Sequence, residues 1–491
     1  MSILKKLAGQ TAIYGLSSIV ARFFNYLVVP LHTTVFVPQQ YGVITEMYAY
    51  VAFLIVMLTY GMETAYFRFS TKEDSQPNTI FSTVLSSLII STAMFILMAI
   101  IFAQPVAEWL LYPNNKEYVV WFAIIVGLDA ISSIPLARLR TENKAKTFAG
   151  VNIANVIVYV GFNLFYLGYC LPLVESGGGN WLTETFYDPG TGVGYVFIAN
   201  LIASVVKFLL LLPTMLRGLT KPQLALLKPM LVYSIPLLLA GLAGMTNEMF
   251  DRIMLKRLLY PILGEDNAMF QLGVYGACYK LSILITLMIQ AFRYAAEPFF
   301  FSQAKEEGSK ELYAKIMTYF VWVLAGTFLA VMLYIDLFKY FIPNEEYWVG
   351  LKVVPILLMA NIFLGIYYNQ SVWYKLTEKT SYGAGLAIFG ALITLVLNMV
   401  FIPEYGYMAS AWATLICYAS MMIASYFLGR KHYPVPYELG KIGGMIGVAA
   451  LLYWATLALN ISQMQFGFAI NLVFLFGYAV FSWFLLQPLK K

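Results

Sequence analysis

Arg22, Asp129, Lys207 and Lys280 stand near the middle of long apolar runs, where charge is costly. A charged side chain at a membrane-helix centre costs about 2.5–3.5 kcal/mol, so four facing lipid would cost on the order of 10 kcal/mol. That is comparable with a whole folding free energy. The four are therefore expected to face the protein interior or a watery cavity. Three bases and one acid leave such a cavity at +2, a field that attracts anions and repels cationic compounds. Arginine suits anion binding because its planar fork grips phosphate oxygens, while lysine supplies a point charge. The plainer reading is that Asp129 pairs with one base while the other bases snorkel along their stems.

Other charges lie nearer the ends of the runs. Glu248 and Arg252 are four residues apart, as are Arg293 and Glu297, a spacing at which helical side chains pair. Glu46 falls in the outer third of its run and Glu63 in the inner third near Arg68. Each is a candidate proton or sodium site, with an inner-gate or structural role the stronger reading for Glu63. Asn25, Asn152, Asn155, Asn163, Asn361, Asn369 and Gln370 also lie inside apolar runs, where amides bridge helices or bind sugar hydroxyls. Cys170, Cys278 and Cys417 are far apart and read as small buried hydrophobes; His32 and His432 lack metal-ligand partners at useful spacing. No metal and no cofactor is expected beyond a coupling proton or sodium ion. GxxxxGK[ST], HExxH and GxSxG are all absent. Gly190-Thr191-Gly192-Val193-Gly194 superficially suggests a nucleotide loop, but no strand precedes it. No enzymatic activity is expected.

The elements that must position these residues follow from composition. Of 491 residues, 60% are hydrophobic and 11% charged, with mean hydropathy +0.74. A soluble domain carries about 25% charged residues, so this chain cannot coat a water-exposed surface. Soluble enzymes, coiled coils, disordered chains and nucleic-acid-binding modules are excluded. The apolar runs are continuous over about 20 residues, the length of a spanning helix and not of a barrel strand. The fold class is thus an all-α polytopic membrane protein. Fourteen spans are expected, at roughly 8–34, 41–67, 78–103, 118–138, 145–172, 191–216, 229–257, 270–299, 313–337, 350–372, 382–401, 408–428, 440–459 and 464–486. Arg22 and Asn25 argue against a cleaved signal peptide in the first. With the N-terminus inside, 21 of the 31 Lys and Arg lie in inner segments and six in outer ones, which predicts both termini on the cytoplasmic side. Every connection is short; the longest, about 173–190, is outer and glycine-rich.

The first and seventh spans share landmarks. Arg22 is followed by Pro30 and by Gly42-Val43, and Arg252 by Pro261 and Gly273-Val274, at nearly the same intervals. Six spans separate the copies, so the repeat is parallel: two six-helix lobes related by an axis along the membrane normal. The expected divisions are a lobe at 1–218, a second at 219–430 and a final helix pair at 431–491. The repeat makes Arg252 the mate of Arg22.

The opening stretch reads Gly15-Leu16, Arg22, Val29-Pro30-Leu31, Gln40-Tyr41-Gly42, Tyr60-Gly61-Met62-Glu63-Thr64-Ala65 and Arg68-Phe69. The second lobe opens with Tyr233-Ser234-Ile235-Pro236-Leu237, then Asp251-Arg252, Gly273-Val274-Tyr275 and Lys280-Leu281. These patterns resemble the Wzx-type polysaccharide flippases of the multidrug/oligosaccharidyl-lipid/polysaccharide (MOP) exporter superfamily, relatives of the lipid II flippase MurJ and of MATE drug antiporters. The resemblance implies two lobes around a central cavity that opens alternately to either side, and an extra C-terminal pair like that of MurJ. It also implies a lipid-linked (undecaprenyl-diphosphate) oligosaccharide as cargo, moved from inner to outer leaflet of the bacterial cytoplasmic membrane. In that case Arg22, Arg252, Lys280 and Lys207 would form the cationic cavity, with Asp129, Glu46 and Glu63 as ion-coupling or structural acids. Membrane lipids, a polysaccharide polymerase and a chain-length protein are the expected partners, and nucleic acid is not. Lipid II transport and cation-coupled drug antiport are the competing functions. Drug antiport needs acids to predominate in the cavity, and here bases do.

Overall fold

In the computed structural model, residues 19, 20, 22–71, 76–304, 306–460 and 466–487 are described, and all their regular structure is helical. Among the described residues, twelve helical stretches are long and apolar enough to cross a membrane. The fourteen expected spans fit this count. The first span is described only from residue 19. The seventh and eighth are joined in one run, Leu224–Leu281, broken where Gly264 adopts φ 77° and ψ 173°. Ile283–Gln303 then completes the eighth.

The chain forms two compact units, Met1–Met245 and Thr246–Lys491. The first contains α1 (Val29–Val35), α2 (Pro38–Thr59), α3 (Met62–Ser70), α4 (Pro77–Ile101), α5 (Ala103–Trp109), α6 (Lys116–Thr141), α7 (Ala145–Asn163) and α8 (Gly194–Arg217). Proline opens α1, α2 and α4 within their first two positions, where its missing N–H costs nothing. The second span is two helices: Tyr60 and Gly61 are both left-handed between α2 and α3. After α7 the fifth span widens into a π-helical stretch, Leu164–Cys170, before closing as Leu171–Glu175. The core joins Met62, Phe81, Leu85 and Leu88 to Ile134, Leu211 and Met215. Met230, from the start of α9 (Leu224–Leu281), completes it. Water drives little of this packing, because lipid tails are as apolar as the side chains; close van der Waals fit does the work. A Cβ on Gly127 of α6 would come within 2.7 Å of Thr92 and Ile96 of α4, a measure of how near those helices run.

The second unit takes the rest of α9, then α10 (Ile283–Gln303), α11 (Ser309–Leu333), α12 (Val354–Gln370), α13 (Thr380–Tyr405), α14 (Tyr407–His432), α15 (Leu439–Ala458) and α16 (Gly467–Leu486). Trp373, Tyr374, Cys417, Tyr418 and Met421 form one of its cores. The final pair packs on α11: Tyr478 donates to the Trp322 carbonyl at 3.1 Å and Asn471 to that of Leu333 at 2.6 Å. All three cysteines are buried and unbridged. Arg252, Lys256 and Arg257 lie inside α9, which runs helically up to Leu263.

Candidate functional site: charges at membrane depth

In the first unit Asp129 of α6 and Lys207 of α8 form an ion pair at 2.5 Å. Both point out of apolar stretches, and only another charge can satisfy either cheaply in that setting. The pair borders a run of polar groups. Asn200, two turns before Lys207 on α8, donates to the Tyr48 hydroxyl of α2 at 3.1 Å. The Tyr48 and Tyr159 hydroxyls are hydrogen-bonded, and Asp129 acts electrostatically on Tyr48. Asn163 donates to the Tyr159 carbonyl at 2.8 Å, and its Oδ1 lies 2.7 Å from His32 Nε2. Asn163 is the last α-helical residue before the π-helical stretch, so the His32 contact ties α1 to the point where the fifth span changes pitch.

Arg22 is exposed and forms no ion pair among the described residues. Glu46 is fully buried and accepts from the Tyr112 hydroxyl at 2.5 Å. Glu63 pairs with Arg140 of α6. Arg68, its neighbour one turn on, instead lies over the Tyr233 ring at 4.2 Å.

In the second unit, Arg252 is buried. Its Nη1 donates to Asp251 Oδ1 at 3.0 Å and to the Glu248 carbonyl at 2.5 Å, and its guanidinium lies 4.3 Å from the centre of the Tyr279 ring. Tyr275 donates to the other Asp251 oxygen at 2.6 Å. The four-residue spacing therefore brings Arg252 to the Glu248 backbone, and the carboxylate that neutralises it is the adjacent Asp251. Lys280, one residue beyond Tyr279 and half-buried, feels both Arg252 and Glu248. Toward the other end, Glu297 receives Lys375 at 2.5 Å and Arg293 at 3.7 Å.

Within each unit, then, the structure joins Asp129 to Lys207, and Arg252 to the neighbourhood of Lys280. Glu46 and Glu63 lie apart from these clusters, each held by its own partner. Sequence reasoning missed Tyr48, Tyr159, Asn200, Asp251, Tyr275 and Tyr279 as members. Tyr275 and Tyr279 had one usable signal, an i, i+4 spacing that puts both hydroxyls on the same helix face. Among the described residues no group of His, Cys, Asp and Glu has the arrangement of a metal site.

Residues 35–181 match the polysaccharide biosynthesis protein family. A probable low-salt glycan biosynthesis flippase, Agl15 of Haloferax volcanii, is 18% identical over 434 residues, covering 88% of this chain and 83% of its own. Among solved structures, the lipid II flippase MurJ in an inward closed conformation superposes with TM-score 0.73 at 12% identity, over 96% of this chain and 97% of that one. The MATE multidrug transporter DinF-BH gives 0.62 at 15% identity, over 88% and 97%. These likenesses support the flippase resemblance read from the residues. The chain shares its fold with MurJ and with MATE transporters, and it carries the polysaccharide-biosynthesis match in its first unit.

Proposed function

We propose that this protein flips a lipid-linked oligosaccharide across the cytoplasmic membrane by alternating access, binding the diphosphate at membrane-depth cations. The carrying observation is Arg22, a base in a spanning segment that forms no ion pair among the described residues. Such a cation is expensive unless water or an anion meets it. Arg22 and Lys280 are the direct ligands in this reading. Arg252 is held by Asp251 and contributes positive field with part of its fork, while Lys207 reaches substrate only when Asp129 releases it. Asp129 is thereby the natural coupling acid: its protonation or sodium binding would free Lys207. Lobes at 1–218 and 219–430 would rock about the substrate, with both termini cytoplasmic. Surface polysaccharide assembly, a polymerase and a chain-length protein are the setting.

Lipid II is the second reading, since the MurJ superposition extends over the C-terminal pair as well. It uses the same diphosphate chemistry, and the species that accumulates separates the two. The experiment is the double variant Arg22→Ala/Lys280→Ala, at matched expression. Lipid-linked oligosaccharide should build up on the inner leaflet, with flipping reduced at least about a hundredfold for two lost charge-assisted contacts. Normal flipping by the double variant would refute the cationic-cavity mechanism.

A further inference from the structure

An apolar groove of about 410 Å³ runs between α13 and α14 of the second unit. Ser381, Gly385 and Phe389 form one wall at a spacing of one helical turn, and Ala424 and Leu428 the other. Leu386 is its buried floor. Gly385 leaves the groove open: a Cβ there would meet nothing within 4 Å. Ser381 to Phe389 spans roughly 12 Å along the helix. The part of an acyl chain nearest its headgroup fits along that length.

The groove ends where α13 begins at Thr380 and α14 finishes at His432, and the Tyr382 hydroxyl and His432 Nε2, 3.3 Å apart, join the two helices there. This end is strongly cationic. Lys379 and Lys431 are exposed and form no ion pair among the described residues. Lys375, by contrast, is neutralised by Glu297 at 2.5 Å. The α13 N-terminus also lacks a side-chain cap, so its first amides favour an anion. A chain-wide apolar furrow leading to unpaired cations at a helix end is the complement of a phospholipid with a negative head.

We propose that this groove is a binding site for one anionic phospholipid of the bilayer, an acyl chain along Gly385 and Phe389 and the head phosphate on Lys379 and Lys431. The site is separate from the cations assigned to substrate. The test is native mass spectrometry of the full chain released from detergent, titrated with dioleoyl phosphatidylglycerol or dioleoyl phosphatidylcholine. The first phosphatidylglycerol should bind about tenfold to a hundredfold more tightly than the first phosphatidylcholine, at about fivefold per rim charge. Lys379→Gln/Lys431→Gln should erase that preference while the groove still takes either lipid. Gly385→Phe, with Gly385→Leu as the milder variant if folding suffers, should remove the first tight site for both. Equal affinity of the wild-type chain for the two lipids would overturn the proposal, as would undiminished first-site binding by a folded Gly385 variant. Selective displacement of phosphatidylglycerol by a polyprenyl diphosphate would also overturn it, by giving the groove to the substrate's tail.

Discussion

Lys207 is the deep base least available to a ligand, because Asp129 sits 2.5 Å from it. Removing the acid's charge leaves a cation in an apolar setting with nothing to offset it. Asp129→Asn is therefore expected to lower stability by about 1–3 kcal/mol, below the cost of breaking a fully buried pair because Asp129 retains some solvent access. Asp129→Asn/Lys207→Met should recover most of that loss in thermal unfolding. A double variant no more stable than the single would show that the pair is not structural. That Asp129 would meet a base was legible from its depth alone. Which base was not, because 78 residues separate the partners and only the packing of α6 against α8 selects Lys207. The tyrosines escaped notice for the same reason: a chain with 36 of them offers no local mark of the few that face a charge. Glu142, in the connection after α6, is another residue whose neighbours decide its behaviour. Partial burial pushes its carboxyl up, but hydrogen bonds from Lys144 and Arg138 outweigh this together and hold it below the usual range. A depressed carboxylate stabilises the fold fully above its unfolded value of about 4.3, and that contribution fades as pH falls through the lower folded value. Melting temperature followed downward from neutral pH should drop less steeply below about pH 4.5 in Glu142→Gln than in the wild type.

At the scale of the element, apolar run length placed the spans well, because a bilayer imposes one length on all of them. What run length cannot register is a change of course inside a run. Tyr60-Gly61 lies in uninterrupted apolar sequence, yet both residues are left-handed there and split the second span. Close packing is part of the reason: a Cβ on Gly61 would stand 2.8 Å from the Ser234 carbonyl oxygen of α9. Gly61→Ala meets both the positive φ and that carbonyl, so a loss of about 1–3 kcal/mol is expected in thermal unfolding. An unchanged melting temperature would mean that the break between α2 and α3 can straighten. The opposite error arose after Arg257, where charges and Pro261 suggested a connection. There α9 stays helical to Leu263.

For the molecule as a whole, the charge bias of the connections predicts both ends of the chain on the cytoplasmic side. A phosphatase fused after Lys491 should be inactive and a fluorescent protein at the same position bright; an active phosphatase would reverse the topology. The compact units divide at Met245 and Thr246, within α9. No loop marks that seam, so a protease has no unfolded stretch to cut there, and fragments cannot be separated at it without breaking a helix. The exposed connection at 219–223 is the natural place for a nick, but it lies upstream of the seam. A chain cut at 219–223 would leave Met230, a piece of the first unit's core, covalently attached to the second fragment. The dependence would run one way: the second fragment would keep its whole unit, while the first could complete its core only by re-docking the start of α9 that the second carries.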